Sequence, residues 1–183
     1  EIPQKNPKKA KLSYRIDMSN PYFLDSIAYL KYPVKADSLI QTTRRQSVLK
    51  SGDNFSVLKL EEERQRLSEL FRNNGYYYFR PEFTTFRADT LQKSGYVSLQ
   101  VVPQTGIPDE AQKQYYIGQT SIYLTGYNGE APTDTLRLRN MVIHYSGDKP
   151  GIRPGVIRRN LFFQKGELYN QAKQTYSQEA IAR

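Results

Sequence analysis

The chain has 183 residues and a formal charge of +9, from 27 Lys and Arg against 18 Asp and Glu, and it contains no Cys and one His. The absence of Cys excludes disulfides, thiolate catalysis and iron–sulfur ligation, and a single His144 excludes a two-histidine metal site. No run approaches the roughly 20 apolar residues that cross a bilayer, and the chain does not open on a signal-peptide pattern. We therefore expect a soluble chain, either cytoplasmic or already processed.

The first two elements predicted along the chain are strands. Residues 11–18 (KLSYRIDM) alternate apolar and polar side chains, as a strand with one buried face does. A short linker joins them to residues 22–30 (YFLDSIAYL), the second strand candidate.

Two helices are predicted next. Residues 36–50 can form a weakly amphipathic helix with Asp37 as its N-cap. After a turn-forming SGDNF segment, Ser56 can cap a clearer helix, whose glutamates come first and arginines last, as the helix dipole favours. Gly75 is expected to end this helix, because glycine readily adopts the left-handed conformation found after helix C-termini.

After Gly75 the spacing of the apolar residues changes from about 3.6 residues, typical of a helix, to two residues, typical of a strand. The aromatic segment 76–86 (YYYFRPEFTTF) and the alternating segment 96–102 (YVSLQVV) predict a β-hairpin. Pro81 lies inside the first of these strands. Because proline has no N–H for a ladder, that strand is expected at the margin of a sheet or at a bulge.

The sequence also contains an internal repeat. Three pairs of segments match in order: GDNF at 52–55 with GELY at 166–169, Arg44–Arg45 with Arg158–Arg159, and residues 22–30 with residues 115–124. The first two pairs are 114 positions apart and the third is 93 apart, so the second copy contains an insertion, near residues 125–152. This period is typical of tandem modules rather than of a solenoid.

The elements predict an α+β chain of tandem β-α-α-β-β modules. Residues 1–18 are predicted to be the last strand of a preceding module and a linker, and residues 19–104 a complete module. Residues 115–183 are predicted to be a second module, with the insertion near 125–152 and truncated at its C-terminus.

This order of elements resembles that of POTRA domains, the polypeptide-transport-associated modules of BamA- and TamA-like outer-membrane assembly proteins. The resemblance rests on four features: the SGDNF turn, the segment LEEERQRLSELFRNNGYYYF with its exit at Gly75, the Asp89–Thr90 pair, and GELYNQAK in the second copy. It implies three-stranded mixed sheets, each covered by two antiparallel helices, along a periplasmic arm whose parent chain carries a C-terminal membrane barrel. It also implies a scaffold without catalysis, cofactor or small-molecule substrate, which binds unfolded outer-membrane proteins or accessory assembly subunits.

A physical mechanism for such binding can be assigned to one segment. An edge strand offers unpaired N–H and C=O groups, to which an extended polypeptide can add itself as a further strand. We predict this edge at residues 76–85, where Pro81 limits the pairing length. The predicted contact residues share one parity: Tyr76, Tyr78, Arg80, Glu82 and Thr84. The other parity, with Tyr77, Phe79 and Phe83, is expected to pack under the helices.

Other functions remain open at this point. A two-partner secretion or cell-division POTRA protein would share the same fold. The rival from another class is a basic, aromatic-rich nucleic-acid-binding module, because Tyr and Phe on a sheet can stack bases beside Arg. No nucleic acid is expected as a partner, since the basic residues are dispersed rather than gathered on one face. No enzyme is expected either: His144 lies in an alternating strand pattern, and Glu61, Glu62 and Glu63 point in different directions on a helix.

Overall fold

The computed structural model describes residues 12–15, 20–125, 129 and 131–181, which contain two three-stranded sheets and four α-helices. We call residues 22–103 the first module and residues 115–181 the second module. None of the helices in these described residues is long and apolar enough to span a membrane. The prediction for residues 1–18 falls largely outside the described residues, and residues 12–15 form neither helix nor strand.

The first module has the predicted order strand, helix, helix, strand, strand. Its elements are β1 (Phe23–Tyr29), α1 (Val34–Thr42), α2 (Val57–Arg72), β2 (Thr84–Asp89) and β3 (Tyr96–Pro103). β3 lies in the middle of the sheet, parallel to β1 and antiparallel to β2. Leu67 and Phe71 of α2 are buried against Leu99 and Val101 of β3, so one apolar core joins the helix layer to the sheet.

The first helix differs from its prediction at both ends. α1 begins at Val34, after Pro33, and Asp37 lies in its first turn instead of capping it. The chain leaves the α-helix at Thr42 and continues as a 3-10 turn over Arg44–Gln46. Proline favours this early start because its fixed φ suits the entry to a helix.

The second helix follows its prediction closely. α2 ends at Arg72, and Gly75 has a φ of +96°, a conformation that is costly for any residue with a Cβ. The Tyr76 N–H then donates to the Phe71 carbonyl, 3.1 Å away, which reverses the chain beneath the helix.

The prediction of a single strand over residues 76–86 is wrong. After Gly75 the chain forms a tight turn, in which the Phe79 N–H donates to the Tyr76 carbonyl. Pro81 starts a 3-10 turn over Pro81–Phe83, and β2 begins only at Thr84. The aromatic residues had suggested a strand, but the left-handed glycine and the proline, which has no N–H to donate, fold this segment into turns.

The second module contains the same kinds of element in a different order. They are β4 (Thr120–Tyr123), β5 (Asp134–Arg137), β6 (Met141–Tyr145), α3 (Pro154–Arg159) and α4 (Gln171–Ile181). The predicted β-α-α-β-β order is not found within the described part of this module, because the insertion forms the hairpin of β5 and β6 ahead of the helices. β6 is central, parallel to β4 and antiparallel to β5, and Met141, Ile143 and Ile157 form a small buried core.

The internal repeat is reproduced in backbone hydrogen bonds. In the first module the Gly52 N–H donates to the Leu24 carbonyl and the Phe55 N–H to the Tyr22 carbonyl; in the second, Gly166 donates to Ile117 and Tyr169 to Tyr115. The donors are 114 positions apart and the acceptors 93 apart, the offsets that the sequence predicts. In both modules the repeated turn therefore forms hydrogen bonds with the segment at the start of the first strand or just ahead of it.

The inserted hairpin of β5 and β6 pairs with one edge of β4. In the first module, β3 pairs with the opposite edge of the equivalent strand, β1. The helix-facing Ile27 of β1 directs its carbonyl away from β3, towards Arg44, whereas the helix-facing Leu124 after β4 donates its N–H to His144 of β6. In a strand of L-residues, side chains on one face always place their backbone groups on the same side. β6 therefore lies on the side of β4 that corresponds to the Arg44 side of β1.

Candidate functional site

The two edges of the first sheet differ in how much of their backbone is available. The edge of β1 is covered at its start, because the turn after α1 forms an antiparallel bridge between Asn54 and Phe23. Arg44 covers the next part, since its guanidinium donates to the Ile27 carbonyl and lies 4.3 Å from the centroid of the Tyr29 ring. The outward groups of Leu24 and the outward carbonyl of Ile27 are therefore occupied.

The edge formed by β2 is open along part of its length. The Gln104 N–H donates to the Phe83 carbonyl at 2.8 Å, and this bond sets the alternation of the ladder between β2 and β3. Every second residue of an antiparallel edge strand turns its N–H and C=O outward. The outward residues of β2 are therefore Thr84, Phe86 and Ala88.

The backbone groups of Thr84 are already occupied. Its N–H donates to the Pro81 carbonyl, and its carbonyl accepts a hydrogen bond from the Nε of Arg64 on α2 at 3.0 Å. Arg64 is held in place by Glu61, 2.7 Å away, and its guanidinium lies 5.4 Å from the centroid of the Phe86 ring. Among the described residues, the outward groups of β2 that lack a partner are consequently the N–H and C=O of Phe86 and Ala88, which we call the open edge.

The five residues predicted as contacts do not lie together on one edge. Tyr76 is 4 % exposed and belongs to the core, and Thr84 is 1 % exposed, with its backbone used as described. Arg80 and Glu82 are exposed but precede β2. Tyr78 is half exposed and contacts the second module.

The predicted division of side chains into two faces is wrong for part of the segment, since Tyr76 and Thr84, predicted as contacts, are buried, and Tyr77, predicted to pack under the helices, is 42 % exposed. Phe79 and Phe83 do pack against the core.

Phe86, Ala88 and Arg64 were missed as members of the edge. The predicted edge strand begins and ends too early, because the aromatic composition of residues 76–79 favours a strand where the chain forms turns. Nothing in the sequence pattern marks Arg64 as a partner of Thr84, since that contact joins α2 to β2 across the fold.

Four tyrosines link the two modules. Tyr77 lies 4.8 Å from Tyr169 between ring centroids, and Tyr78 lies 5.3 Å from Tyr115, both with rings nearly perpendicular. Edge-to-face geometry is a preferred arrangement of aromatic pairs, because the positive edge of one ring meets the negative face of the other. Tyr78, predicted as a client contact, and Tyr77, predicted to pack under the helices, therefore both form part of the junction between modules.

Hydrogen bonds at the same junction join the two helix ends. Past the C-terminus of α2, the carbonyls of Asn73 and Gly75 accept from the Asn170 side chain at 2.9 Å and the Tyr115 N–H at 2.8 Å. In the opposite direction, Oδ1 of Asn73 accepts from the Ala172 N–H at the start of α4, at 2.9 Å. Each module thus satisfies backbone groups that a helix end leaves unpaired in the other.

A buried polar network lies beneath α2. Glu63 is fully buried, and its carboxylate accepts hydrogen bonds from the Tyr29 hydroxyl, the Val48 N–H and the Arg66 guanidinium. Burial, and then the neighbouring Glu63 carboxylate, raises the pKa of Tyr29 to about 12. This network fixes α2 against β1, and it lies beneath the helix rather than at the open edge.

A cleft in the second module has a volume of about 660 Å³. Its charged lining residues are Arg139 and Arg158, and its lining residues include no carboxylate and no histidine. Among the described residues no cluster of three or more His, Asp or Glu is placed to hold a metal ion. The cleft therefore offers arginines without an acid–base partner.

Comparisons with known proteins rest on structure. No family model and no curated protein sequence matches the chain. The crystal structure of POTRA domains 3–5 of BamA from Haemophilus influenzae is similar, with a TM-score of 0.50 and 11% sequence identity over 88% of this chain and 50% of that one.

Two cyanobacterial structures match over a similar share of the chain. The N-terminal domain of Omp85 from Thermosynechococcus elongatus has a TM-score of 0.30 and 17% identity, covering 88% of this chain and 54% of that one. POTRA domains 1–3 of the periplasmic domain of Omp85 from Anabaena have a TM-score of 0.29 and 14% identity, covering 89% and 55%. The chain spans about half the length of each of these structures.

The described residues form two consecutive modules, each with a three-stranded mixed sheet. The α+β modules have the fold of POTRA domains, as the match to the BamA structure shows. The resemblance stated from the sequence is confirmed at the level of fold.

Proposed function

We propose that this chain is a periplasmic protein-interaction scaffold of an outer-membrane assembly or translocation protein. It binds unfolded outer-membrane polypeptides or accessory subunits by adding their extended segments to the open edge of β2. The observation that carries the proposal is the pair of outward residues Phe86 and Ala88, whose backbone groups have no partner among the described residues, on a sheet whose other edge is partly covered by the repeated turn and Arg44. The similarity in fold to BamA POTRA domains supports the assignment to outer-membrane assembly.

Main-chain pairing suits a scaffold that must accept many clients. The hydrogen bonds offered at Phe86 and Ala88 belong to the backbone, so they impose no side-chain sequence on the added strand. The open edge is short, because the Pro81 turn and Arg64 occupy the groups of Thr84. A short edge favours weak, reversible pairing and limits aggregation along the sheet.

The proposal is tested by removing one outward N–H. Ala88→Pro deletes a donor that faces away from β3, a position at which edge strands tolerate proline, whereas Ala88→Val keeps the donor and serves as the matched control. The probe is a soluble peptide of about ten residues with alternating Val and Thr, the length of a membrane-barrel strand. We expect Ala88→Pro to weaken binding severalfold, because one net hydrogen bond contributes about 0.5–1.5 kcal/mol, and Ala88→Val to bind as the unmodified chain does.

Equal affinity of both variants would overturn docking at β2. Binding of single-stranded DNA or RNA that is tight and falls steeply with salt would instead favour the nucleic-acid class. Replacement of Tyr78 distinguishes client contact at Tyr78, which the sequence predicts, from docking at Phe86 and Ala88. Tyr78→Ala is expected to leave peptide affinity unchanged, because that side chain contacts Tyr115 at the module junction.

A further inference from the structure

We propose that Arg64 sets the register of strand addition at β2, by withholding the Thr84 carbonyl so that an added strand begins its pairing at Phe86. This inference rests on the proposed function and assigns to one side chain the choice of where docking starts. Arg64 is a positioning residue, since it acts through the backbone of Thr84.

The outward residues of β2 are chemically alike but unequal in availability. Thr84, Phe86 and Ala88 each direct an N–H and a C=O away from β3, by the alternation fixed at Phe83. The N–H of Thr84 is used by the Pro81 turn, and its C=O by Arg64. The turn is built into the backbone, so the carbonyl is the group that a single side chain controls.

The geometry of Arg64 suits a fixed cover better than a mobile one. Its Nε reaches Thr84, one terminal nitrogen reaches Glu61, and the plane of the guanidinium lies near the Phe86 ring. A planar guanidinium can satisfy several such contacts at once, which the single ammonium of lysine cannot do. The side chain is 29 % exposed, so its contact with Thr84 is partly shielded from water.

An arginine also occupies an outward carbonyl on the other edge of the first sheet. Arg44 donates to the outward carbonyl of Ile27 on β1 and lies over an aromatic ring, Tyr29. Arg64 donates to the outward carbonyl of Thr84 on β2 and lies near an aromatic ring, Phe86. On β1 the repeated turn also occupies the backbone groups of Tyr22 and Leu24, at the start of the strand or just ahead of it. On β2 the outward groups beyond the arginine have no partner among the described residues.

The test maps the register directly, because the chain has no cysteine of its own. Ala88→Cys places a single thiol on the open edge. A series of Val/Thr peptides, each with one cysteine at a successive position, then reports by disulfide formation which peptide residue lies opposite position 88. With Arg64 present we expect one dominant cross-linked position. With Arg64→Ala added, the Thr84 carbonyl becomes available, and we expect the dominant position to move by two residues, the period of a strand.

Affinity provides the second measurement. Arg64→Ala is expected to raise the affinity for the alternating peptide roughly two- to tenfold, since one more acceptor can be paired. Arg64→Lys is expected to fall between the two, because lysine keeps the charge without the planar geometry. Glu62→Ala is the matched control, since it removes an exposed carboxylate of the same helix that contacts neither Arg64 nor Thr84, and it is expected to keep the original cross-linked position.

The outcomes separate the two proposals. If the peptide pairs at position 88 but Arg64→Ala leaves both the register and the affinity unchanged, the role of Arg64 is wrong and strand addition stands. If the peptide does not pair with β2 in any variant, strand addition at this edge is wrong, and the role of Arg64 is overturned with it.

Discussion

The two modules use different side chains as the hydrogen-bond acceptor at equivalent positions of the fold. In the first module the Val48 N–H donates to the buried carboxylate of Glu63 at 3.1 Å; in the second, the Phe162 N–H donates to the hydroxyl of Ser177 at 2.9 Å. Both the donors and the acceptors are 114 positions apart, the offset of the internal repeat. The scaffold therefore requires an acceptor from the second helix at this point, but it does not require a charge.

The difference extends to the residues around the acceptor. Glu63 is paired with Arg66 and Tyr29, whereas the position that matches Arg66 in the second module is Ala180. A buried carboxylate needs such partners because an unpaired charge in a protein interior is costly. The first module thus holds its second helix with an ionic network, and the second module does so with one neutral hydrogen bond.

The largest expected effect comes from breaking the ionic network. Glu63→Gln keeps the size of the side chain but leaves Arg66 without its carboxylate, and we expect a loss of about 3 kcal/mol in the free energy of unfolding of the first module. Urea denaturation followed by circular dichroism measures this loss. Glu62→Gln, at an exposed position of the same helix, is the control and should change the free energy by less than about 0.5 kcal/mol. A loss equally small for Glu63→Gln would show that the network adds little.

A smaller effect is expected from alkaline pH. The pKa of Tyr29 is raised from 10.0 to about 12 by burial and then by Glu63, so the folded state keeps the proton while the unfolded state releases it. Stability is therefore full below about pH 10 and falls as the pH rises towards about 12, by roughly 1–3 kcal/mol for this group. Denaturation at neutral pH and at about pH 11 measures the fall.

Tyr29→Phe sharpens that comparison. Phenylalanine has no hydroxyl to titrate, so the variant should lose less stability than the unmodified chain between the two pH values. Burial also raises the pKa of Tyr32 to about 12, so Tyr32 still contributes to the loss of stability at alkaline pH in this variant. An unchanged pH dependence in Tyr29→Phe would contradict the assignment.

The smallest effect is expected at the junction. A Cβ on Gly75 would lie 2.7 Å from Cδ1 of Leu168, and the φ of +96° is strained for any other residue. Gly75→Ala should therefore destabilise the junction by about 1 kcal/mol. Adding Leu168→Ala removes the clash but leaves the backbone strain, so hydrogen exchange at the junction should recover in part. Full recovery would mean that the backbone conformation costs nothing.

Much of the fold could be read from patterns within short segments. The helical period of α2 and the alternation of β3 were predicted with bounds close to those observed, because each reflects one buried face of one element. The repeat offsets were also predicted, and they reappear in the hydrogen bonds of the repeated turn. The start of β2 was not, because the aromatic run before it has the composition of a strand but is held in turns by Gly75 and Pro81.

The sequence by itself determined the kinds of element and their order in the first module, since period and turn chemistry are local properties. Only the tertiary structure decided which outward groups are free. Arg64 reaches Thr84 from another element, and the tyrosines of residues 77 and 78 pack against partners in the second module. Such contacts join residues that are distant in the chain, and no spacing within a segment encodes them.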